Sequence, residues 1–159
     1  MNMKTIKILG LLLVLVLVSS CEKHQWVDWQ MENQLWLIEN AKKEGVITTP
    51  TGLQYKCIDD KAPSNAPRPD AAKYVTITYS GTFINGYEFD AATDYQSLVS
   101  DFVPGFEEGL KKMHQWSTYE FYIPAELAYG KTGRGTEGNS NYIPPHSTLI
   151  FRVYLGRIN

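Results

Sequence analysis

Residues 102–113 read FVPGFEEGLKKM, and this short stretch decides the fold class of the chain. Pro104 lies near the start of a helical pattern, with two glutamates in the first turns and two lysines in the last, where the helix dipole favours each charge. Strand-like runs rich in β-branched and aromatic residues surround it, at 53–58, 74–79, 117–123 and 148–155. Strands around one short helix predict an α+β domain whose antiparallel sheet packs on that helix.

Turn signals separate these runs. Asn85-Gly86 is a strong hairpin signal, residues 61–70 (KAPSNAPRPD) hold three prolines, and a glycine-rich loop precedes the last strand. No internal repeat or low-complexity tract is present, so one domain accounts for the whole region.

The first 20 residues are typical of a secretory signal. Basic residues precede an apolar stretch from Ile8 to Val18, and small residues follow before Cys21. The apolar stretch is shorter than the roughly 20 residues that a membrane span requires. Val18-Ser19-Ser20-Cys21 resembles the bacterial lipobox, which makes Cys21 the lipid-bearing N-terminus; the alternative is an ordinary cleaved signal with a coincidental cysteine. The predicted division is a signal peptide over 1–20, anchor cysteine and helical arm or linker over 21–50, and the folded domain over 51–159.

Composition excludes several classes of function. Removal of residues 1–20 takes away Lys4 and Lys7 and leaves 13 basic against 17 acidic residues, so no nucleic-acid partner is predicted. With 43% hydrophobic and 20% charged residues the chain is globular. If Cys21 is acylated, Cys57 has no disulfide partner, and its position in a predicted strand favours a buried, inert thiol.

Residues 22–44 lack glycine and proline and predict a helix that stops at Gly45. Three interpretations remain open for it: packing on its own domain, a homodimer through residues 22–44, or a collar near the membrane. Three tryptophans at positions 26, 29 and 36 keep a partner among the alternatives.

Covalent and metal-assisted chemistry lack their residues. Gly133-Arg134-Gly135-Thr136-Glu137-Gly138 matches a dinucleotide fingerprint, but no helix pattern follows it, so it is predicted to be a loop. The three histidines have no metal-ligand spacing and no serine lies in a nucleophile elbow. We therefore predict no cofactor and no metal.

Aromatic and apolar residues instead recur in four turn-rich blocks, and these blocks carry a family resemblance. They are Tyr79, Phe89-Asp90, residues 102–109, and Ala128-Tyr129-Gly130 with residues 142–146 (YIPPH). In this order they resemble the FKBP-type peptidyl-prolyl cis-trans isomerases. The lead-in at 42–55 is similar to the bacterial Mip-like branch, and the resemblance covers residues 45–159.

The resemblance implies a curved five-stranded antiparallel sheet wrapped around one short helix, with the pocket between them. It implies roles in catalysis for Tyr79, Asp90 and Tyr129, with the Tyr129 hydroxyl at the rim. It further implies that Phe89 lines one wall beside Tyr79, and that Phe102 and Val103 lead into the helix, the Val103 N–H donating to ligand. Phe106 forms the floor, where the family most often has Trp, and Ile143 and Phe151 form apolar walls.

This sequence departs from the family pattern at several positions. No arginine follows Phe89-Asp90 to pair with the carboxylate, so Asp90 is expected to rely on Tyr79 or water. One family aromatic falls on either Tyr95 or Leu98, and the loop 131–142 is longer than in small members. These departures affect peptide preference rather than the fold.

The expected function is prolyl isomerisation that assists the folding of exported proteins at the cell envelope. The expected location is the outer membrane, facing the periplasm or the surface, through lipid on Cys21, and the expected partners are proline-containing unfolded polypeptides. A catalytically weak chaperone or peptide-binding module of the same fold is the alternative.

Overall fold

A computed structural model describes residues 26–63 and 65–159. Within these ranges the chain forms a six-stranded antiparallel sheet with two α-helices, α1 over 26–40 and α2 at Pro104–Leu110. The strand order is β1-β2-β5-β6-β3-β4. The strands are β1 Val46–Thr48, β2 Gln54–Asp59, β3 Tyr74–Thr82, β4 Glu88–Leu98, β5 Thr118–Ile123 and β6 Leu149–Ile158. The predicted α+β class is confirmed.

The sheet has one strand more than the resemblance implied. Val46–Thr48 pairs with the start of β2, with Val46 opposite Lys56 and Thr48 opposite Gln54. The chain turns back through Gly52, whose φ of 97° suits glycine. This three-residue edge strand holds the segment that connects α1 to β2 against the sheet.

Helix α2 lies against β5 and closes one side of the core. Gly105 and Gly109 face the side chains of Ile123 and Phe121, so that a Cβ at either glycine would collide with them. The helix backbone therefore approaches the sheet closely, and Phe106 on the same face is buried. This close approach fixes the position of Phe106 above the sheet.

Helix α1 packs on its own domain, the first of the three interpretations above. The Trp29 indole N–H donates to Ser147 Oγ at 3.0 Å, and Asn33 Oδ1 accepts from the Thr148 backbone N–H at 2.7 Å. The buried Asn40 side chain donates to Gln54 at 3.0 Å. Trp29, Asn33 and Asn40 are spaced by four and seven positions, which puts them on one face of the helix, as a docked helix requires.

Of the two sequence-based expectations about cysteine, the structure tests the one about Cys57. Cys57 lies in β2 as predicted, but its side chain is exposed, so the prediction of a buried thiol is wrong. Its cross-strand neighbour on β5 is Tyr119, which is buried. Cys21 and the signal segment 1–20 lie outside the described residues.

Over the described ranges, no helix of the chain combines the length and the apolar character needed to cross a bilayer.

A part-buried carboxylate links the end of β2 to the segment after α2. Asp60 Oδ2 lies 2.9 Å from His114 Nδ1, and the Tyr119 hydroxyl is 3.4 Å away. Burial alone would raise the pKa of Asp60, but the hydrogen bond and charge of His114 outweigh it and hold that pKa below its ordinary value.

Asp60→Asn is therefore expected to lower the free energy of unfolding at neutral pH by about 1 kcal/mol. Because the native pKa of Asp60 is depressed, its stabilisation is present above the unfolded pKa and is lost as pH falls through the native one. Urea unfolding of both proteins across acidic and neutral pH measures the difference, which should close in acid. Asp59→Asn, beside it but on the surface with Lys61, is the control and should change little at any pH. A deficit in Asp60→Asn that is independent of pH would contradict this assignment.

Candidate active site

An aromatic cluster occupies the space between α2 and the concave face of the sheet. Phe106 from α2 lies with its ring centroid 4.9 Å from Phe151 of β6 and 6.1 Å from Tyr79 of β3. Phe89 of β4 stands edge-on to Phe151 at 5.5 Å. Phe89, Phe106 and Phe151 are buried and Tyr79 is half-buried, so carbon dominates the interior of the cluster. Four different elements thus contribute rings to one site.

The strand register and the glycine at position 81 explain why these rings meet. Gly81 of β3 is paired with Phe151 of β6 and with Asp90 of β4. A Cβ at Gly81 would lie 2.6 Å from Phe151 and 2.9 Å from Phe89. The glycine therefore leaves the space in which the Phe89 and Phe151 rings pack.

Tyr79 and Asp90 form the polar pair of the site. The Tyr79 hydroxyl donates to Asp90 Oδ2 at 3.0 Å, which supplies the partner that the sequence left open between Tyr79 and water. Burial, and next the hydrogen bond to Asp90, raise the pKa of Tyr79 well above its ordinary value. Tyr79 therefore stays protonated as a donor at physiological pH, and the Asp90 side chain itself lies exposed at the edge.

The segment before α2 brings a backbone donor to the same place. The Phe102 ring stacks on Phe106 at 4.6 Å, and Val103, the N-cap of α2, is half-buried against the cluster. The Val103 carbonyl accepts from the N–H groups of Phe106 and Glu107. Its own N–H takes part in none of the hydrogen bonds found among the described residues, which leaves it available to an incoming carbonyl.

Tyr129 and Ile143 flank the long loop over 131–142 on either side. Ile143 is buried in the core cluster and Tyr129 packs against it, half-buried. The Arg134 guanidinium donates to the Tyr129 hydroxyl at 3.0 Å and lies over its ring, while the Arg134 backbone pairs with Ile143. Gly133 has a φ of 66° and its Cα faces the Ile143 carbonyl, so only glycine fits there. The loop is consequently ordered around the rim residues.

Of the nine residues singled out from the sequence for the pocket, eight lie in the hydrophobic core or pack against it, and the ninth, the exposed Asp90, accepts a hydrogen bond from Tyr79. Sequence reasoning missed Arg134, whose place beside Tyr129 depends on loop geometry rather than on a motif. It offered Tyr95 and Leu98 as alternatives for one aromatic residue of the family. In the structure Tyr95 stands edge-on to both Tyr79 and Phe102. It also missed Phe83, which stacks on Phe89 at 4.7 Å and whose only signal was its place before the hairpin turn.

Two known family models match this chain. The family model described as FKBP-type peptidyl-prolyl cis-trans isomerase matches residues 66–156. The model described as the domain amino-terminal to FKBP-type peptidyl-prolyl isomerase matches residues 20–57. Both matches together cover α1, the sheet and the aromatic cluster.

Individual relatives agree with these matches. The outer membrane protein MIP of Legionella longbeachae is 38% identical over 124 residues, covering 76% of this chain and 50% of that protein. The FKBP-type 22 kDa peptidyl-prolyl cis-trans isomerase of Escherichia coli K12 is 39% identical over 128 residues, covering 78% of this chain and 58% of that protein. The crystal structure of FkpA from Escherichia coli superposes with a TM-score of 0.78 at 29% identity, covering 100% of this chain and 74% of that one. The chain spans about half the length of the curated relatives it matches.

Proposed function

Because the chain belongs to the family of FKBP-type peptidyl-prolyl cis-trans isomerases, we propose that it catalyses cis-trans isomerisation of Xaa-Pro bonds in polypeptides. The observation that carries this proposal is the convergence of Tyr79, Phe89, Phe106 and Phe151 from four elements around one apolar site. An isomerisation assay on an Xaa-Pro peptide tests it.

The physical mechanism needs no covalent step. Rotation about a peptide bond costs roughly 18–20 kcal/mol because the twisted amide loses its resonance. The twisted bond also has less charge separation than the planar one, so an apolar site that excludes water favours it over the ground state. A reduction of the barrier by about 5 kcal/mol corresponds to an acceleration of several thousand-fold.

The residues divide between binding and catalysis. We assign the proline ring to the slot formed by Phe89, Phe106 and Phe151, with Phe102 and Ile143 completing its walls. The Val103 N–H is assigned to a substrate carbonyl, which fixes one side of the rotating bond. The Tyr79–Asp90 pair and the Tyr129 hydroxyl are assigned to the amide being twisted, where they supply oriented dipoles at the edge of the slot.

The Tyr79–Asp90 pair makes a direct prediction. Tyr79→Phe and Asp90→Ala should each lower kcat/KM by about tenfold, the scale of one oriented hydrogen bond lost from the transition state. The double variant should lose little more than either single one, because both changes remove the same hydrogen bond.

Exchange NMR on an Xaa-Pro peptide measures these rates. Tyr154→Phe, on an exposed part of β6, is the matched control and should keep the full rate. Unchanged rates in both Tyr79→Phe and Asp90→Ala would remove the pair from the mechanism.

We infer that the chain works at the cell envelope and is held there by lipid on Cys21. Support comes from the lipobox-like sequence before Cys21 and from the printed name of the Legionella longbeachae relative, an outer membrane protein. Proline-containing exported polypeptides are then its substrates. Cys21→Ser should move the protein from the membrane pellet to the supernatant after cell fractionation; an unchanged pellet fraction would count against the anchor.

We also propose that the outer face of α1 pairs with a second copy of the chain. Val27, Met31, Leu35 and Ile38 follow one another at intervals of three or four residues, and each is between 52% and 56% exposed. A continuous apolar stripe of this kind is typical of an interface. It faces away from the side of α1 that packs on the domain.

Light scattering tests this pairing. The wild type should have the mass of a dimer, and Leu35→Lys with Ile38→Lys should have that of a monomer with an unchanged fold. Ile47→Lys, at an equally exposed residue outside the helix, should leave the dimer intact. A wild-type monomer at all concentrations would overturn the proposal.

A further inference from the structure

A second cavity, distinct from the aromatic slot, opens between α1, the β3–β4 turn and the long loop. Its volume is about 840 Å³, which exceeds the space that one side chain fills and lies within the usual range for ligand pockets. Trp29 and Glu32 contribute from α1, Phe83 and Tyr87 from the turn, and Glu137 and Tyr142 from the loop. Among these residues, Phe83 also packs on Phe89 of the aromatic cluster, and no role in isomerisation is assigned to the other five.

The floor of the cavity is aromatic and fixed in place. Trp29 stands edge-on to Phe83 at 6.3 Å, and its indole N–H is already bonded to Ser147. Phe83 in turn stacks nearly parallel to Tyr87, whose side chain is 56% exposed. Phe83 is itself buried, so Tyr87 and the half-buried Trp29 present the accessible ring surface, and such surface attracts apolar side chains and cations alike.

Three carboxylates surround this floor. Asp28, Glu32 and Glu137 line the cavity, and no lysine, arginine or histidine is among the lining residues that the structure describes. Within the described part of the chain, none of the three forms a salt bridge. A negative rim repels anionic ligands such as nucleic acid or acidic lipid, and it gives a neutral ligand no added affinity.

The cavity is also connected to the aromatic slot. Phe83 forms part of its floor and stacks on Phe89 at 4.7 Å, and Phe89 contacts Phe151 in the slot. The contacts Phe83–Phe89 and Phe89–Phe151 therefore link the cavity to the slot. Three or four residues of extended polypeptide would span the distance between the two sites.

We propose that this cavity is a second polypeptide-binding site, which takes an extended segment bearing lysine or arginine next to aromatic or aliphatic side chains. The basic group lies over the Tyr87 ring and pairs with the carboxylate rim, and the apolar neighbours rest on Trp29 and Tyr87. Binding there does not require proline, so the site holds an unfolded chain independently of isomerisation in the slot.

Fluorescence anisotropy with the purified full chain tests this proposal. The probe is a short, labelled, proline-free peptide that alternates lysine with leucine and phenylalanine, and the matched peptide has glutamate in place of lysine. We expect the lysine peptide to bind, the glutamate peptide not to bind, and the affinity of the first to fall as salt is added.

Variants locate the binding. Asp28→Asn, Glu32→Gln and Glu137→Gln together should weaken the lysine peptide by at least about tenfold. Glu44→Gln, Asp59→Asn and Glu126→Gln together remove the same charge elsewhere on the exposed surface and should change the affinity less than about twofold. Tyr87→Ala should weaken it as well, whereas Tyr154→Ala should not.

Two results would overturn the proposal: equal binding of the lysine and glutamate peptides, or equal loss in the rim and control triple variants. A test of isomerase activity on a tetrapeptide separates this inference from the proposed function. The rim variant should keep the full isomerisation rate, and peptide binding in a chain without isomerase activity would disprove the proposed function but leave the second site in place.

Discussion

Replacing Phe106 with alanine is expected to remove most of the isomerase activity, by at least about tenfold in kcat/KM. Phe106 contacts Tyr79, Phe102, Phe121 and Phe151, and it is 2% exposed. Its loss opens the floor of the slot to water, so the environment that favours the twisted amide disappears. The same change removes a buried ring and should lower the free energy of unfolding by about 3–5 kcal/mol.

The stability loss requires a control that is equally buried but lies outside the slot. Met113→Ala removes a fully buried side chain from the core and should cost about 2–5 kcal/mol without reducing the rate at a temperature where both variants are folded. Circular dichroism establishes that temperature, and exchange NMR on an Xaa-Pro peptide gives the rates. If Phe106→Ala and Met113→Ala keep the same activity, Phe106 is only a core residue.

Gly81→Ala is expected to damage the slot from the opposite side. The added methyl group would lie 2.6 Å from Phe151 and 2.9 Å from Phe89, so both rings must move. Overpacking of this kind costs about 1–3 kcal/mol in stability. Because the displaced rings are the walls that hold the proline, kcat/KM should also fall, on the order of tenfold.

Gly156→Ala is the matched control for this change. Gly156 lies in β6, and the nearest atom to an added Cβ is the Thr76 carbonyl oxygen at 3.4 Å, a distance that small shifts relieve. This variant should keep the rate and lose less stability than Gly81→Ala, both measured by the same assay and by urea unfolding. Full activity in Gly81→Ala would mean that the positions of Phe89 and Phe151 do not determine catalysis.

The sequence predicted the elements whose pattern is strong. The helix at Pro104 and the runs 74–79 and 117–123 are rich in the residues that their structures favour, and the structure contains a helix or strand at each. Strand β4 was not predicted, because most residues of its sequence, EFDAATDYQSL, are polar and most are exposed. The short β1 offers only three residues, too few for a periodic signal.

The hydrophobic pattern of α1 could not predict which face of the helix packs on the domain. Its docked face is anchored by Asn33 and Asn40, two buried amides that a hydropathy argument assigns to solvent. Leu35 and Ile38, which the same argument assigns to the core, lie on the exposed face. Hydrogen bonds to Thr148 and Gln54, distant in sequence, decided the orientation.

Much of the candidate site was accessible from the order of the aromatic blocks, since each block falls on a different element around α2. The partner of Tyr129 was not accessible, because Arg134 reaches it only through the turn that Gly133 permits. The second cavity was likewise hidden, since its rings and carboxylates come from three segments that share no motif.

The most direct test of the account is the rate of cis-trans exchange in an Xaa-Pro peptide with and without the folded chain. We expect exchange to be accelerated, with kcat/KM flat between about pH 6 and pH 9, because burial and the hydrogen bond to Asp90 raise the pKa of Tyr79 and so keep its proton in place. An exchange rate equal to that of the peptide alone, with the chain shown to be folded, would contradict the proposed isomerase.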